Sequence, residues 1–222
     1  AFIAQEKGHQ VTIYEASDKL GGNMRLAAYP PGKGDITNMI RSYIVRCQKA
    51  GVTIKMNQEV TLDLIREEKP DSVIVASGSR TLILPIEGID NPAIIHGSDL
   101  LDGKRAAGKK VLVVGGGMVG CETAAFLGEQ NHDVTVIEFR DTVGADVIHE
   151  HRVYLMKDFE DYKIKEITGA KVCKFYEDGV EYETADGQRH ESRGYDSVIL
   201  SMGFRNYNPF GEAVSYTHLT LP

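Results

Sequence analysis

The stretch that most constrains this chain is Gly115-Gly116-Gly117-Met118-Val119-Gly120, which lies between two short β-branched runs. Lys110-Val111-Leu112-Val113-Val114 precedes it. Val134-Thr135-Val136-Ile137 follows, ends at Glu138, and is separated from the glycines by a helical stretch over residues 118–130. Apolar runs of this length, without alternation, read as strands of a parallel sheet buried on both faces. Val119, Ala124, Ala125 and Leu127 supply the helix's apolar positions, and Asn131-His132-Asp133 reads as the turn that returns the chain. In a G-x-G-x-x-G loop, the first glycine permits the tight strand-to-helix turn. The second lets the backbone approach a pyrophosphate, and the third lets helix and strand pack closely. The helix N-terminus adds free N–H groups and partial positive charge directed at the same anion.

A bare glycine pattern is a weak signal; the strand before it, the helix after it and the acid beyond make it a Rossmann-like unit. Glu138 stands close to the ~20-residue spacing expected of an acid that hydrogen-bonds an adenosine ribose. The unit is therefore expected to bind NAD(H). Arg140, just past the strand, suits a 2′-phosphate and leaves NADP(H) open. Glu122 has two readings, a favourable charge near the helix N-terminus and a ligand group.

The opening of the chain reads as the rear half of a second such unit. Residues 1–5 resemble the end of a helix, Gly8-His9 a turn, and Val11-Thr12-Ile13-Tyr14 a strand ending at Glu15. The partial repeat points to two nucleotide sites. Pro30-Pro31-Gly32 marks a loop. Residues 35–50 then form an amphipathic helix with Ile36, Met39, Ile40, Tyr43, Ile44 and Cys47 at helical spacing. Val52-Thr53-Ile54, Ser72-Val73-Ile74-Val75-Ala76 and Ser197-Val198-Ile199-Leu200-Ser201 read as strands. Glu177-Asp178-Gly179 and Asp186-Gly187 are hairpin turns.

Composition excludes several classes. With 42% hydrophobic and 26% charged residues the 222-residue chain is an ordinary globular one, large enough for one or two cores. A net charge of −7 without a basic run argues against nucleic acid and anionic membranes as partners, and no apolar run is long enough to span a bilayer. Cys47, Cys121 and Cys173 are odd in number and far apart, which fits a reducing, cytoplasmic setting rather than a disulfide framework. No Cys-x-x-Cys occurs, and the cluster His149-Glu150-His151 reads as a solvated helix start, so no metal site is assigned. No Ser-His-Asp arrangement or carboxylate pair calls for hydrolytic chemistry, and no catalytic residue is assigned.

One ordered set, namely Glu15 followed by Leu20-Gly21-Gly22, then Ala76-Ser77-Gly78, Gly115 to Gly120, and Met202-Gly203, resembles the two-dinucleotide flavoprotein family. In that family an NAD(P) domain is inserted into an FAD domain. The runs Leu26-Ala27-Ala28-Tyr29-Pro30-Pro31-Gly32-Lys33-Gly34-Asp35-Ile36 and Gly120-Cys121-Glu122-Thr123-Ala124 are most similar to the C-terminal region of enoate and 2,4-dienoyl-CoA reductases, members of the NADH:flavin oxidoreductase (old yellow enzyme-like) group. The likeness covers roughly residues 1–210.

The resemblance implies an α/β, Rossmann-like, two-dinucleotide-binding flavoprotein fold. Residues 1–106 would be a partial FAD domain, 107–204 the inserted NAD(P) domain, and 205–213 the return to the FAD domain. It implies Glu15 at the FAD ribose, Gly21 and Gly22 on the flavin side, Val60 near the adenine through its backbone, Glu122 near the nicotinamide, and Ala76, Gly78 and Gly203 as cofactor-binding residues at strand ends. Asn23 stands where the subgroup often has Gln, and Ser77 where Thr is common. It further implies that hydride passes from NADH to FAD. Electrons would then continue through an iron–sulfur cluster to an FMN barrel in an N-terminal part of the same polypeptide, where an activated C=C bond is reduced.

Because neither the first glycine loop nor that barrel lies within the 222 residues, the isolated chain is expected to be inactive and to lack tightly held FAD. The reductase arm of a glutamate synthase-type or ferredoxin-linked complex, and a plain NAD(H)-binding module, are the alternatives. Disulfide reductases of this fold carry a Cys pair after the first Gly-Gly or before the second glycine loop; the corresponding Asn23-Met24-Arg25-Leu26-Ala27 and His96-Gly97-Ser98-Asp99-Leu100-Leu101 have none. Residues 214–222 resemble a translated sequencing adapter and are expected to be non-native.

Overall fold

Runs of Val, Ile and Leu that bury both faces of a strand need a layer on each side, and the central sheet of this chain has both. The computed structural model describes residues 1–211. By its contacts the chain divides into two units, one holding residues 1–28, 33–79 and the segment from 206, the other residues 29–32 and 80–205.

In the first unit, α1 (Phe2–Glu6) leads to β1 (Thr12–Tyr14), then to α2 (Asn23–Leu26) and α3 (Asp35–Ala50), which ends at left-handed Gly51. β2 (Thr53–Lys55) pairs in parallel with β1, Ile13 opposite Ile54, and α4 (Leu62–Glu68) follows, its N-terminus capped by the Thr61 hydroxyl, which accepts from the Leu64 amide at 3.2 Å. The apolar stripe of α3 is covered only in part: Ile36, Ile40 and Ile44 are half-buried, whereas Met39 and Tyr43 are exposed. Cys47 is buried, and Tyr43 stacks on Phe2 of α1 at 6.1 Å.

The run Ser72 to Ala76 departs from expectation. It forms no strand, and Ile74 is 62% exposed. An extended segment becomes a strand only when a neighbour completes its ladder, and no described segment pairs with this one. The only strand here is β3 (Ser79–Thr81), three residues later, at the crossing into the second unit.

The second unit begins with β4 (Ile95–His96) and α5 (Gly97–Leu101). It continues through β5 (Lys110–Val114), α6 (Met118–Glu129), β6 (Asp133–Ile137), α7 (His149–Asp161) and β7 (Lys165–Ile167). After β8 (Lys171–Tyr176), β9 (Gly179–Glu183) and β10 (Arg189–Ser192) come β11 (Ser197–Leu200) and β12 (Phe204–Asn206), the latter at the return crossing. Five of these strands form one parallel sheet in the order β4-β11-β5-β6-β7. The antiparallel β8, β9 and β10 form a separate meander, as the two glycine turns predict.

Alternation along β5 builds the three layers. Val111 and Val113 enter a core with Ala124, Leu127, Leu155 and Phe159 of α6 and α7, whereas Leu112 and Val114 enter a second core with Val172, Phe175 and Val180 of the meander. All four are at most 1% exposed. The α/β class with a parallel sheet is thus as expected, and residues 80–106 belong by their contacts to this unit. Among the described residues, no helix is long and apolar enough to cross a membrane. The segment 214–222 lies outside the described residues.

Candidate functional site

The carboxyl edge of the parallel sheet, where open α/β sheets bind their ligands, carries most of the second unit's candidate residues. The chain leaves β5 at Gly115, whose φ of +104° suits only glycine. A Cβ there would lie 2.5 Å from the Ser201 carbonyl oxygen. Gly120 packs α6 onto the same turn, and a Cβ on it would fall 1.7 Å from the Gly115 carbonyl oxygen. Between them, Gly117 is the N-cap of α6 and offers no side chain to its first amides. Met118 is exposed, and Val119 accepts a hydrogen bond from Thr123 Oγ1 at 2.7 Å.

Gly116 donates its amide hydrogen to Glu138 Oε2 at 2.5 Å, and Glu138 Oε1 accepts from the Arg140 amide at 3.0 Å. The backbone of Glu138 is fixed as well: its N–H donates to Ile167 O at 2.8 Å and its carbonyl accepts from Ala170 N at 2.9 Å. The acid is therefore oriented by the loop beside it rather than free in solvent. Next to it opens a cleft of about 490 Å³ lined by Phe139, Arg140, Asp141, Gly169, Lys171 and Glu183. Phe139 is 68% exposed there.

Glu122 is 6% exposed on α6, and its Oε1 lies 3.1 Å from His151 Nε2 of α7. A buried carboxylate needs such a partner. Gly203 has φ +98°, and its carbonyl accepts from Leu82 N at 2.9 Å. At the same edge, His96 Nδ1 and Ser201 Oγ are buried with no partner among the described residues, so this edge carries polar atoms beyond those the fold itself uses. The backbone cradle that side chains would fill, the oriented acid and these two atoms fit an NAD(H)-type dinucleotide.

The first unit groups its candidates separately. The Glu15 carboxylate accepts from both the amide and the hydroxyl of Ser17 at 2.8 Å. Gln58 N donates to Glu15 O at 2.9 Å, and Asn57 N donates to Ser17 O at 3.0 Å, which brings the segment leading to half-buried Val60 beside Glu15. Gly21 and Gly22, with φ of +112° and +48°, turn the chain into α2. Asn23 then donates to Ser79 Oγ at 3.0 Å and so ties that turn to the exposed Ala76-Ser77-Gly78 segment. Gly78 accepts from Tyr207 N at 3.0 Å, and Ser77 Oγ donates to Tyr207 O. The positions at which this sequence departs from the family pattern, Asn23 and Ser77, thus both make hydrogen bonds that fasten these loops. Within this unit, then, Glu15 is bonded to Gln58, two residues before Val60, and Asn23, next to Gly22, is bonded to Ser79, next to Gly78.

Sequence reasoning missed two residues of the second unit. Asp146 accepts from the Met118 amide at 2.9 Å, and His151, read only as part of a solvated cluster, is the partner of Glu122. Both contacts join α6 to the loop-and-helix segment after Glu138, and nothing local in the sequence marks them. Of the three cysteines, Cys47 and Cys121 are buried. Burial, with nearby Asp146, Glu166 and Glu138 carboxylates adding to it and the Gly144 amide opposing, pushes the Cys121 thiol up to about 12.

The family model described as pyridine nucleotide-disulphide oxidoreductase matches residues 1–217. Bilirubin reductase of Mediterraneibacter gnavus is 33% identical over 205 residues, 92% of this chain and 32% of its own length. Cinnamate reductase of Clostridium sporogenes is 31% identical over 92% of this chain and 30% of its own length. Among solved structures, 2-naphthoyl-CoA reductase in complex with 2-naphthoyl-CoA superposes with a TM-score of 0.87 at 32% identity, over 97% of this chain and 32% of that one. The chain spans about a third of the length of these relatives. They are reductases of the kind the sequence resemblance implies, and the FAD/NAD-binding flavoprotein fold is the one expected.

Proposed function

Because the chain belongs to the pyridine nucleotide-disulphide oxidoreductase family, we propose that it is the NADH-oxidising region of a flavin-dependent reductase. The observation that carries this reading is the Gly116–Glu138 hydrogen bond, which holds a carboxylate at the strand end with its remaining acceptor capacity free for ribose hydroxyls. In this reading the Gly115–Gly120 backbone and the α6 N-terminus take the pyrophosphate, and Glu138 takes the 2′- and 3′-hydroxyls of the adenosine ribose. Arg140 turns toward solvent, or to a 2′-phosphate when NADP(H) binds. Glu122, held by His151, and Gly203 serve the nicotinamide end. Glu15, Gly21, Gly22, Val60, Ala76 and Gly78 serve FAD, which when bound supplies a two-electron acceptor for hydride.

The relatives' length and substrates support the rest of the reading. The region feeds electrons to reduction of an activated C=C bond, of enoate or acyl-CoA type, in an N-terminal FMN and iron–sulfur part of the same polypeptide. Thiol–disulfide exchange has no place in it, since neither position for the Cys pair holds cysteine. Titration of the chain with NADH, together with flavin content after purification and NADH-dependent reduction of an artificial electron acceptor, tests the proposal. As purified, without flavin, the chain is expected to bind NADH without turnover, and flavin-dependent turnover is expected once FAD is supplied. Binding without turnover even with FAD supplied would reduce the chain to an NAD(H)-binding module, and the absence of binding would remove the reading.

A further inference from the structure

The first turn of a helix at a glycine loop attracts an anion because its amide hydrogens have no partner within the helix. In this chain an anion of its own meets that turn. Asp146 Oδ1 accepts from the Met118 amide at 2.9 Å. A Cβ built on Gly117 would lie 3.1 Å and 3.4 Å from the two oxygens of the same carboxylate, so it sits directly over the second half of the glycine loop.

The segment that carries Asp146 is fastened to the loop. Gly144 N donates to Gly116 O at 2.7 Å, Val143 is 1% exposed in the core, and Arg152 Nη2 donates to Val143 O at 3.2 Å. Asp146 itself is exposed. Its backbone is thereby held close to the pyrophosphate-binding amides, while its side chain is free to rotate away by its own torsions.

We infer that Asp146 is an affinity-determining residue of this site, a built-in carboxylate that competes with the dinucleotide pyrophosphate for the Met118 amide. This rests on the reading of the glycine loop as the pyrophosphate cradle. Binding of the pyrophosphate breaks the Asp146–Met118 hydrogen bond and leaves a carboxylate close to two phosphate charges, so affinity is held below what the loop and Glu138 alone would give. The same carboxylate complements the helix dipole and stabilises α6 when no phosphate is bound.

The test compares the wild-type chain with Asp146→Asn and Asp146→Ala in calorimetric titrations with NADH and ADP-ribose, alongside thermal melting with and without ligand. Both variants are expected to bind NADH and ADP-ribose about tenfold more tightly, the scale of one charged hydrogen bond. Without ligand they should melt at or below the wild-type temperature. Wild-type binding with unchanged or weaker binding in both variants would overturn the inference and leave the nucleotide site intact. Failure of the folded wild type and both variants to bind either ligand would overturn the site itself.

Discussion

Glu138 Oε2 and the Gly116 amide nitrogen are 2.5 Å apart, which locks the acid at the end of β6 to the loop at the end of its parallel neighbour β5. A carboxylate fixed in this way accepts from the ribose 2′-hydroxyl of NADH and repels the 2′-phosphate of NADPH. Arg140 opposes the repulsion, but its side chain is exposed, whereas the acid is anchored at both oxygens. NADH is therefore expected to bind more tightly than NADPH. Glu138→Ala should narrow or reverse the gap by ~1–3 kcal/mol, the scale of a charged hydrogen bond. Titration of both cofactors into both proteins decides it; equal wild-type affinities would make Glu138 a structural acid only.

Gly120→Ala tests the closeness of helix and strand. The added methyl would meet the Gly115 carbonyl oxygen at 1.7 Å, and that oxygen belongs to backbone that cannot rotate away. A cost of about 3 kcal/mol or more is expected, read as a lower denaturation midpoint together with loss of NADH binding. Full stability in this variant would show that the turn relaxes.

Leu112→Ala addresses the double-sided burial of β5. Leu112 is 0% exposed and faces the meander rather than the helices. Truncation should cost ~2–5 kcal/mol, measurable by denaturant unfolding. A loss below about 1 kcal/mol would mean that the meander closes over the gap.

The central sheet was legible because its determinants are local. Val111 to Val114 are apolar without alternation, the glycines follow at once, and Glu138 closes the unit at a fixed spacing. The helix over residues 35–50 declared itself by period, and the meander by its glycine turns. Ser72 to Ala76 misled because its composition is that of a strand, while strand formation depends on a neighbour that composition does not name. Asp146 and His151 were illegible for a related reason. Their partners, Met118 and Glu122, lie on another helix, and only the fold brings the pairs together. The roles proposed for Glu15, Gly21, Gly22, Val60, Ala76 and Gly78 rest on resemblance, since no spacing rule connects such distant loops.

Cys121 makes a pH-dependent prediction. Its thiol is fully buried in α6, donates to the Gly116 carbonyl at 3.2 Å, and is pushed by burial from 9.0 to about 12. The folded chain thus holds this proton more tightly than the unfolded chain does. Between pH 9.0 and about 12 the unfolded state loses it first, so unfolding releases a proton and stability falls as pH rises. The contribution is fully present below pH 9.0 and declines above it by roughly 1.4 kcal/mol per pH unit. Lysines and tyrosines titrate in the same range, so the measured quantity is the difference between wild type and Cys121→Ala, which cancels them. That difference should be flat from pH 7 to pH 9 and then shift against the wild type as pH rises. A second readout is chemical: in the native chain at pH 8, iodoacetamide should alkylate half-buried Cys173 well before Cys121. Alkylation of both at similar rates, or a pH-independent stability difference, would show that the Cys121 thiol is reached by solvent and that burial does not govern it.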